Sequence, residues 1–301
     1  KEFGKVIITK EFAQGEEMIV KAGETLVVDF GQNCAGVPSF VFKAQEGTTL
    51  TCLPSELLND GNGAESRGMD GPEGSVHRLN LRIPESGMLI DYTFGANKDY
   101  ATYMPTHSFF GYRFVSITVT NEVRIKSIES IPVTSITKEM EIGRITTGDA
   151  SVNQLISNTY WGQLSNYLSV PTDCPQRNER QPWLGDRTVG SLGESFLFNN
   201  ERLYSKWMRD ICESQREDGV LCDVAPAYWN YYNDDVTWPA ALPFSCDMIY
   251  KQYGNSQPII DSYPHIKRWM NHLISEYCRD GIIIKDQYGD WCVPPEKLNL
   301  I

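Results

Sequence analysis

The spacing of apolar side chains changes once along this chain, near residue 140, and that change restricts the fold more than any other feature. Before it, residues alternate with a period of two, the repeat of a strand with one buried face. ETLVVDFG (24–31), GVPSFVFKA (36–44), TTLTCLPS (48–55) and YRFVSITVT (112–120) are rich in Val, Thr and Phe. Turn formers such as NDGNG (59–63) and DGPEG (70–74) divide them. SVHRLNLRIPESG (75–87) reads as a further strand with a turn. Short alternating strands with turns between them are the pattern of an antiparallel β-sandwich.

After about Thr146 the apolar positions recur at three- and four-residue steps. In 148–170 these are Val152, Leu155, Ile156, Tyr160, Leu164 and Leu168, with Asp149 placed as an N-cap. Further helices are expected over 188–198, 200–216, 236–253 and 262–278. Between them lie loops full of aromatics and acids, DVAPAYWNYYNDDVTW (223–238) and KDQYGDWCVPP (285–295). Four or five helices cannot close a large helical barrel, so the chain reads as part of a longer protein. The start at KEFGKV, with no initiator Met or leader pattern, agrees with a beginning inside that protein.

Composition narrows the function. The net charge is −12 with no long basic run, which disfavours a nucleic-acid partner because phosphate binding needs clustered Lys and Arg. No apolar run approaches the ~20 residues of a membrane span. The 8 cysteines form no CxxC and no zinc-ligand spacing, so they are expected as free, mostly buried thiols. The four histidines make no metal pair, His265 and His272 being seven apart. Aromatics are plentiful at 11%, as both sugar-binding clefts and ordinary cores require.

The densest chemistry lies in DCPQRNERQPWLGDR (173–187), which holds Asp173, Glu179, Asp186, three arginines and Trp183. Pro175 and Pro182 forbid one continuous helix, so the three carboxylates are expected on a loop that can turn them toward one point. Glycosidic cleavage uses such a set: one carboxylic acid protonates the leaving oxygen and a second carboxylate activates water or attacks carbon. Further carboxylates and an arginine grip sugar hydroxyls, and a tryptophan face stacks on the ring. The same residues could instead form an arginine–carboxylate network that holds a loop, and spacing leaves both readings open. Asp234 and Asp235 either line a cleft or cap the helix expected after them, and Asp290 serves either a turn or a sugar.

DCPQRNERQPWLGD resembles the signature of the bacterial α-L-rhamnosidases of glycoside hydrolase family 78, written DCPQR-x-ER-x-x-W-x-GD. VVDFGQNCAGVPSF (27–40) and PTHSFFGYRFVSI (105–117) are similar to two strand motifs of that family, and DDVTWPAAL and YGDW to its pocket walls. Gln181-Pro182 departs from the commoner Leu-Gly. The resemblance implies a β-sandwich over 1–140 followed by the first part of an (α/α)6 six-hairpin barrel over 141–301. It implies inverting hydrolysis of terminal α-L-rhamnosyl bonds in glycosides or polysaccharides, with no cofactor and no metal. Glu179 matches the general acid; Asp173, Arg177 and Asp186 match positions that bind rhamnose hydroxyls; Trp183, Trp238 and Trp291 match pocket aromatics. The general base would come from beyond Ile301. A non-catalytic carbohydrate-binding paralogue of the same fold, or a glycosidase of another specificity such as an L-fucosidase, stands as the alternative.

Overall fold

The computed structural model describes residues 15–63, 68–79, 87–96, 99–188 and 190–289. It divides into two compact units. The first comprises Lys1–Ser135, Thr147–Leu168 and Cys174–Arg180, and the second Ile136–Thr146, Ser169–Asp173 and Gln181–Ile301.

The first unit is built on one seven-stranded sheet, antiparallel throughout. Its strands are β1 (Met18–Val20), β2 (Thr25–Ala44), β3 (Thr49–Ser55), β4 (Ile90–Thr93), β5 (Ala101–Tyr103), β6 (Phe110–Val119) and β7 (Val123–Pro132). The order is β1-β7-β2-β6-β3-β4, with β5 also on β2. The two strands expected over 24–31 and 36–44 are one strand, β2. Its ladder with β6 is interrupted between Asp29 and Cys34, where Gly31 takes φ 77°, a left-handed conformation that glycine adopts without strain. Beyond the interruption β2 pairs with β7 and β5, so the sheet curls around a single core. Strands from both ends of the order supply that core: Val20 and Ile125 at one end, Leu50 and Ile90 at the other, Phe40 and Phe42 between them. Residues 80–86 of the strand expected over 75–87 lie outside the described residues; within the rest, Val76 makes a bridge to Leu58.

Two of the motifs meet in this sheet. Arg113 donates Nε and Nη2 to the two oxygens of Asp29, at 2.7 and 2.8 Å. Burial pushes the Asp29 carboxyl upward, but the arginine and the Gly31 amide outweigh it and hold it below the usual range. Helix α1 (Ala150–Ser165) belongs to this unit and is capped as expected, Asp149 accepting from Ser151 N and Val152 N. It ends at Ser165, whose hydroxyl accepts from Ala35 N at 3.0 Å, earlier than the sequence suggested. Its apolar stripe is only partly covered, since Leu155 stays 65% exposed: a helical period sets conformation without supplying a partner surface.

The second unit holds two one-turn helices, α2 (Gly185–Thr188) and α3 (Ser191–Glu194), and three longer ones, α4 (Glu201–Glu213), α5 (Ala241–Tyr253) and α6 (Gln257–Tyr277). The helix expected over 188–198 is broken because Gly190 and Gly193 weaken it and Phe196–Phe198 turn back on α3. The helix expected from 236 begins at Ala241, after a separate turn that contains Pro239. The one expected from 262 begins at Gln257, with Pro258 in its first turn, and runs through Pro264. Tyr204, Trp207, Met208 and Ile211 of α4, Leu242, Cys246 and Ile249 of α5, and Trp269 and Leu273 of α6 form the buried faces. Gly254 closes α5 in a left-handed cap at φ 68°. Among the described residues seven cysteines are free, and no helix is long and apolar enough to cross a membrane.

Candidate active site

Arg177 and Glu179 lie in the segment Cys174–Arg180 of the first unit. That segment rests on the sheet. A Cβ at Gly111 of β6 would stand 2.6 Å from the backbone nitrogen of Gln176, so only glycine lets the segment lie against the strand. Arg180, held at φ 51°, puts its guanidinium 4.7 Å from the centre of the Phe109 ring and 5.7 Å from that of Phe110, and its Nη2 2.7 Å from Met88 Sδ. Between these anchors Glu179 is 9% exposed, and its Oε2 pairs with Arg177 Nη2. Arg177 keeps a half-exposed side chain. Of the arginine–carboxylate network that the sequence left open, this segment shows the Arg177–Glu179 pair and the contact of Arg180 with aromatic rings.

Asp173, Trp183, Asp186 and Trp238 belong to the second unit. Asp173 and Gln181 bond each other twice, Asp173 N to Gln181 O at 2.9 Å and Gln181 N to Asp173 Oδ1 at 2.7 Å. Asp186 is not on a loop as the prolines suggested; it stands exposed in the first turn of α2, since the chain turns helical at Gly185, after Pro182. That turn is fixed by Arg187, which is buried and donates to Glu194 Oε1 at 2.7 Å and to Thr172 O at 2.6 Å.

Trp183 and Trp238 join one aromatic cluster. Trp183 stacks on Tyr231 with centroids 5.6 Å apart and meets Trp229 and Tyr288 edge-on at 6.2 Å. Tyr288 in turn stacks on Trp238 at 4.5 Å. The indole of Trp238 covers Gly185, where any Cβ would collide with it. Thr188 Oγ1 donates toward the carbonyls of Thr237 and Trp238, completing the link between α2 and the Trp238 loop. Trp291 and Asp290 lie outside the described residues.

Of the residues that hold this cluster, Asp234 and Asp235 were candidates for a cleft or a cap, whereas Asp223 and Asp286 escaped the sequence reading. Asp223 is fully buried; its Oδ2 accepts from Asn233 Nδ2 and, at 3.0 Å, from the Tyr288 hydroxyl, while its Oδ1 has no partner. Burial pushes this carboxyl up against the pull of Asn233 and Tyr288. Asp234, at φ 55°, is clamped by His272 Nε2 at 2.7 Å and by the Tyr277 hydroxyl at 2.6 Å. Asp235 is 1% exposed and caps the turn before α5 through Trp238 N, while its other oxygen takes Gln287 N and Tyr288 N. Burial, then its hydrogen bond with Asp286, pushes the Asp235 carboxyl to about 6. For Asp286 burial is outweighed by hydrogen bonds from Asp235, Thr237 and backbone amides, which hold it at about 2. Asp286 in turn accepts from Val236 N and from the Thr237 hydroxyl, so the two acids clasp the loops 223–238 and 285–289 from both sides. The cap expected of Asp234 or Asp235 is made by Asp235; for Asp223 and Asp286 the only sequence signal was the density of aromatics and acids in those loops.

Comparison with known proteins gives a consistent result. Residues 19–135 match the family model of the bacterial alpha-L-rhamnosidase concanavalin-like domain, and residues 140–299 that of the bacterial alpha-L-rhamnosidase six-hairpin glycosidase domain. An alpha-L-rhamnosidase of Streptomyces avermitilis is 32% identical over 96% of this chain and 26% of its own length. One of Formosa agariphila is 28% identical over 97% of this chain and 30% of its own. Among solved structures, an alpha-L-rhamnosidase from Dictyoglumus thermophilum superposes with a TM-score of 0.74 at 27% identity, covering 92% of this chain and 30% of that one. The Streptomyces avermitilis enzyme complexed with L-rhamnose gives 0.73 at 28% identity, over 92% and 26%. The chain spans about a quarter to a third of the length of these relatives.

Proposed function

Because this chain belongs to the bacterial α-L-rhamnosidase family, we propose that the protein carrying it hydrolyses terminal α-L-rhamnosyl bonds with inversion, using Glu179 as general acid. Glu179 would give its proton to the glycosidic oxygen as that oxygen leaves the anomeric carbon. Water attacks from the opposite face, activated by a carboxylate supplied from beyond residue 301. Asp173, Arg177 and Asp186 would hold ring hydroxyls by charge-assisted hydrogen bonds. Trp183 and Trp238, with Trp291, would form the apolar walls.

The observation that carries this reading is the mounting of Glu179: a nearly buried carboxyl on a segment pinned by Gly111 and Arg180. Little motion of its backbone is then needed to reach a reactive geometry. The ion pair with Arg177 sets a condition. A carboxyl that donates a proton must give up this pairing, and the arriving sugar supplies the exchange when its hydroxyls draw the half-exposed guanidinium away. The same pair supports the second reading, a sugar-binding paralogue in which Glu179 stays a carboxylate and no bond is cleaved.

The two readings separate in one experiment. Proton NMR of a digest of phenyl α-L-rhamnoside is expected to show the β-anomer of rhamnose first. Glu179→Gln is expected to lower turnover by about 10²–10⁴-fold while L-rhamnose still binds. Undiminished turnover in the variant would remove Glu179 from the chemistry, and rhamnose binding without turnover in the parent would favour the paralogue.

A further inference from the structure

The aromatic cluster of the second unit contains two stacked pairs. Trp183 lies on Tyr231 with centroids 5.6 Å and planes 22° apart, and Trp238 lies on Tyr288 with centroids 4.5 Å and planes 30° apart. Between the pairs, Trp183 meets Tyr288 edge-on at 6.2 Å. A ring contact of that length is favourable but shallow, so it does not by itself fix how far apart the pairs stand.

Asp223 touches both pairs. Its backbone serves the first: the N–H donates to Tyr231 O at 3.0 Å, and the carbonyl accepts from Leu184 N, next to Trp183, at 2.9 Å. Trp183 itself is bridged to Val224. The side chain serves the second. Oδ2 accepts from the Tyr288 hydroxyl at 3.0 Å and from Asn233 Nδ2, which also donates to that hydroxyl at 2.9 Å. Three groups thus close a ring and hold the hydroxyl from two directions. Asp235 fixes the backbone of Tyr288, and Asp223 fixes the far end of the same side chain. With both ends held, the plane on which Trp238 stacks is set.

The arrangement is kept against a cost. Asp223 is fully buried, and its Oδ1 has no hydrogen-bond partner among the described residues. A buried acceptor without a partner loses its solvation and gains nothing in return. An apolar side chain of the same size would escape that loss but could not accept from Tyr288. What the carboxyl adds is therefore orientation rather than stability.

We propose that Asp223 is a positioning residue. Through the Tyr288 hydroxyl on one side and the backbone of Tyr231 and Leu184 on the other, it sets the separation of Trp183 and Trp238 and so the fit of a ligand to both. That this ligand is a rhamnoside rests on the hydrolytic reading above; the setting of the two indoles does not.

The test uses Asp223→Ala, Asp223→Asn, Tyr288→Phe and the double variant Asp223→Ala/Tyr288→Phe of the protein that carries this chain. Asp223→Ala and Tyr288→Phe are each expected to raise KM for phenyl α-L-rhamnoside about five- to tenfold, with kcat changed less than about twofold. The double variant should lose no more than the worse single one, because both changes cut the same link. Asp223→Asn keeps an acceptor oxygen and should stay within about twofold of the parent KM. Losses that multiply in the double variant, or a fall in kcat at unchanged KM, would overturn the proposal. Tyr288→Phe removes only a hydroxyl from a half-buried ring, so an unchanged KM there rejects the link even if Asp223→Ala does not fold. If the parent cleaves no rhamnoside, the hydrolytic reading fails alone. Fluorine NMR of the 5-fluorotryptophan-labelled protein then decides, with Trp183 and Trp238 assigned by Trp→Phe substitutions. Resonances of both that move in Tyr288→Phe and hold their place in Asp223→Asn sustain the positioning role; resonances unmoved in Tyr288→Phe, or moved in Asp223→Asn, reject it.

Discussion

In the sheet unit the side chains hidden from solvent are Phe40, Phe42, Leu50, Ile117 and Ile125; in the helical unit Arg187, Glu194, Asp223 and Asp235 are hidden beside Trp207 and Leu242. Both units satisfy the same rule by different means. A sheet pairs its polar backbone within the ladder and leaves its inner face to apolar packing. The helical unit sets its loops with buried charges, each answered by a partner: Arg187 by Glu194, Asp235 by Asp286 and three backbone amides, Asp223 by Asn233 and Tyr288. The difference separates a scaffold, whose energy is spread over many contacts, from a site, whose geometry hangs on a few.

The largest effect should come from breaking one of those few. Glu194→Ala takes the carboxylate partner from buried Arg187 and removes the acceptor of the Tyr204 hydroxyl at 2.6 Å. Loss of one partner of a buried ion pair costs about 3–5 kcal/mol, as much as the roughly 3–5 kcal/mol expected for Phe42→Ala in the sheet core. The comparison sharpens in the double variants. Replacing Arg187 and Glu194 together by Met and Leu should recover most of the loss in urea melts, because no charge is then left unpaired. If the double variant were as unstable as Glu194→Ala, the charges would contribute more than their mutual satisfaction.

Gly185→Ala comes next. The added methyl meets the Trp238 indole, and overpacking of this kind costs about 1–3 kcal/mol. Because Trp238 is also a proposed sugar wall, KM for rhamnosides should rise more than kcat falls. A stability loss with unchanged KM would detach Trp238 from the substrate.

The smallest effect is the pH dependence of the clasp between the aromatic loops. An acid raised from 3.8 to about 6 in the folded state binds its proton more tightly there than when unfolded. The contribution of Asp235 is thus complete below 3.8 and lost as pH rises through about 6. Asp286, lowered from 3.8 to about 2, contributes above 3.8 and loses its share as pH falls through about 2. The clasp is therefore firmest near pH 4 and weakens on either side. Thermal melts of Asp235→Asn should lack the fall in Tm that the parent shows between about pH 4 and 6.5; parallel curves would show that folding does not raise the Asp235 carboxyl.

The same contrast explains what the sequence disclosed. A period of two marks strands directly, and the Asp149 cap sits where its spacing put it. The merging of two expected strands into β2 turned on Gly31, a position where a glycine in the middle of an alternating run reads as a turn. In the helical unit the period located α4 within three residues and misplaced the starts of α5 and α6. The Asp235 cap on Trp238 N is local, but Asp286 on Val236 N and Gln287 N on Asp235 join residues 50 and 52 apart, which no local pattern encodes. The residues of the 173–187 stretch were legible because proline, charge and tryptophan fall so close together. Asp223, Tyr231 and Tyr288 were not, because each acts through a partner distant in sequence.

The account depends on proton donation by the carboxyl at 179, and leaving-group dependence reads that donation directly. Kinetics of Glu179→Gln should be measured on methyl α-L-rhamnoside, whose leaving oxygen needs a proton, and on 2,4-dinitrophenyl α-L-rhamnoside, whose leaving group departs as an anion. The account predicts a loss of about 10²–10⁴-fold on the first and less than about tenfold on the second. Equal losses on both would contradict it and leave Glu179 as a residue that only holds the sugar.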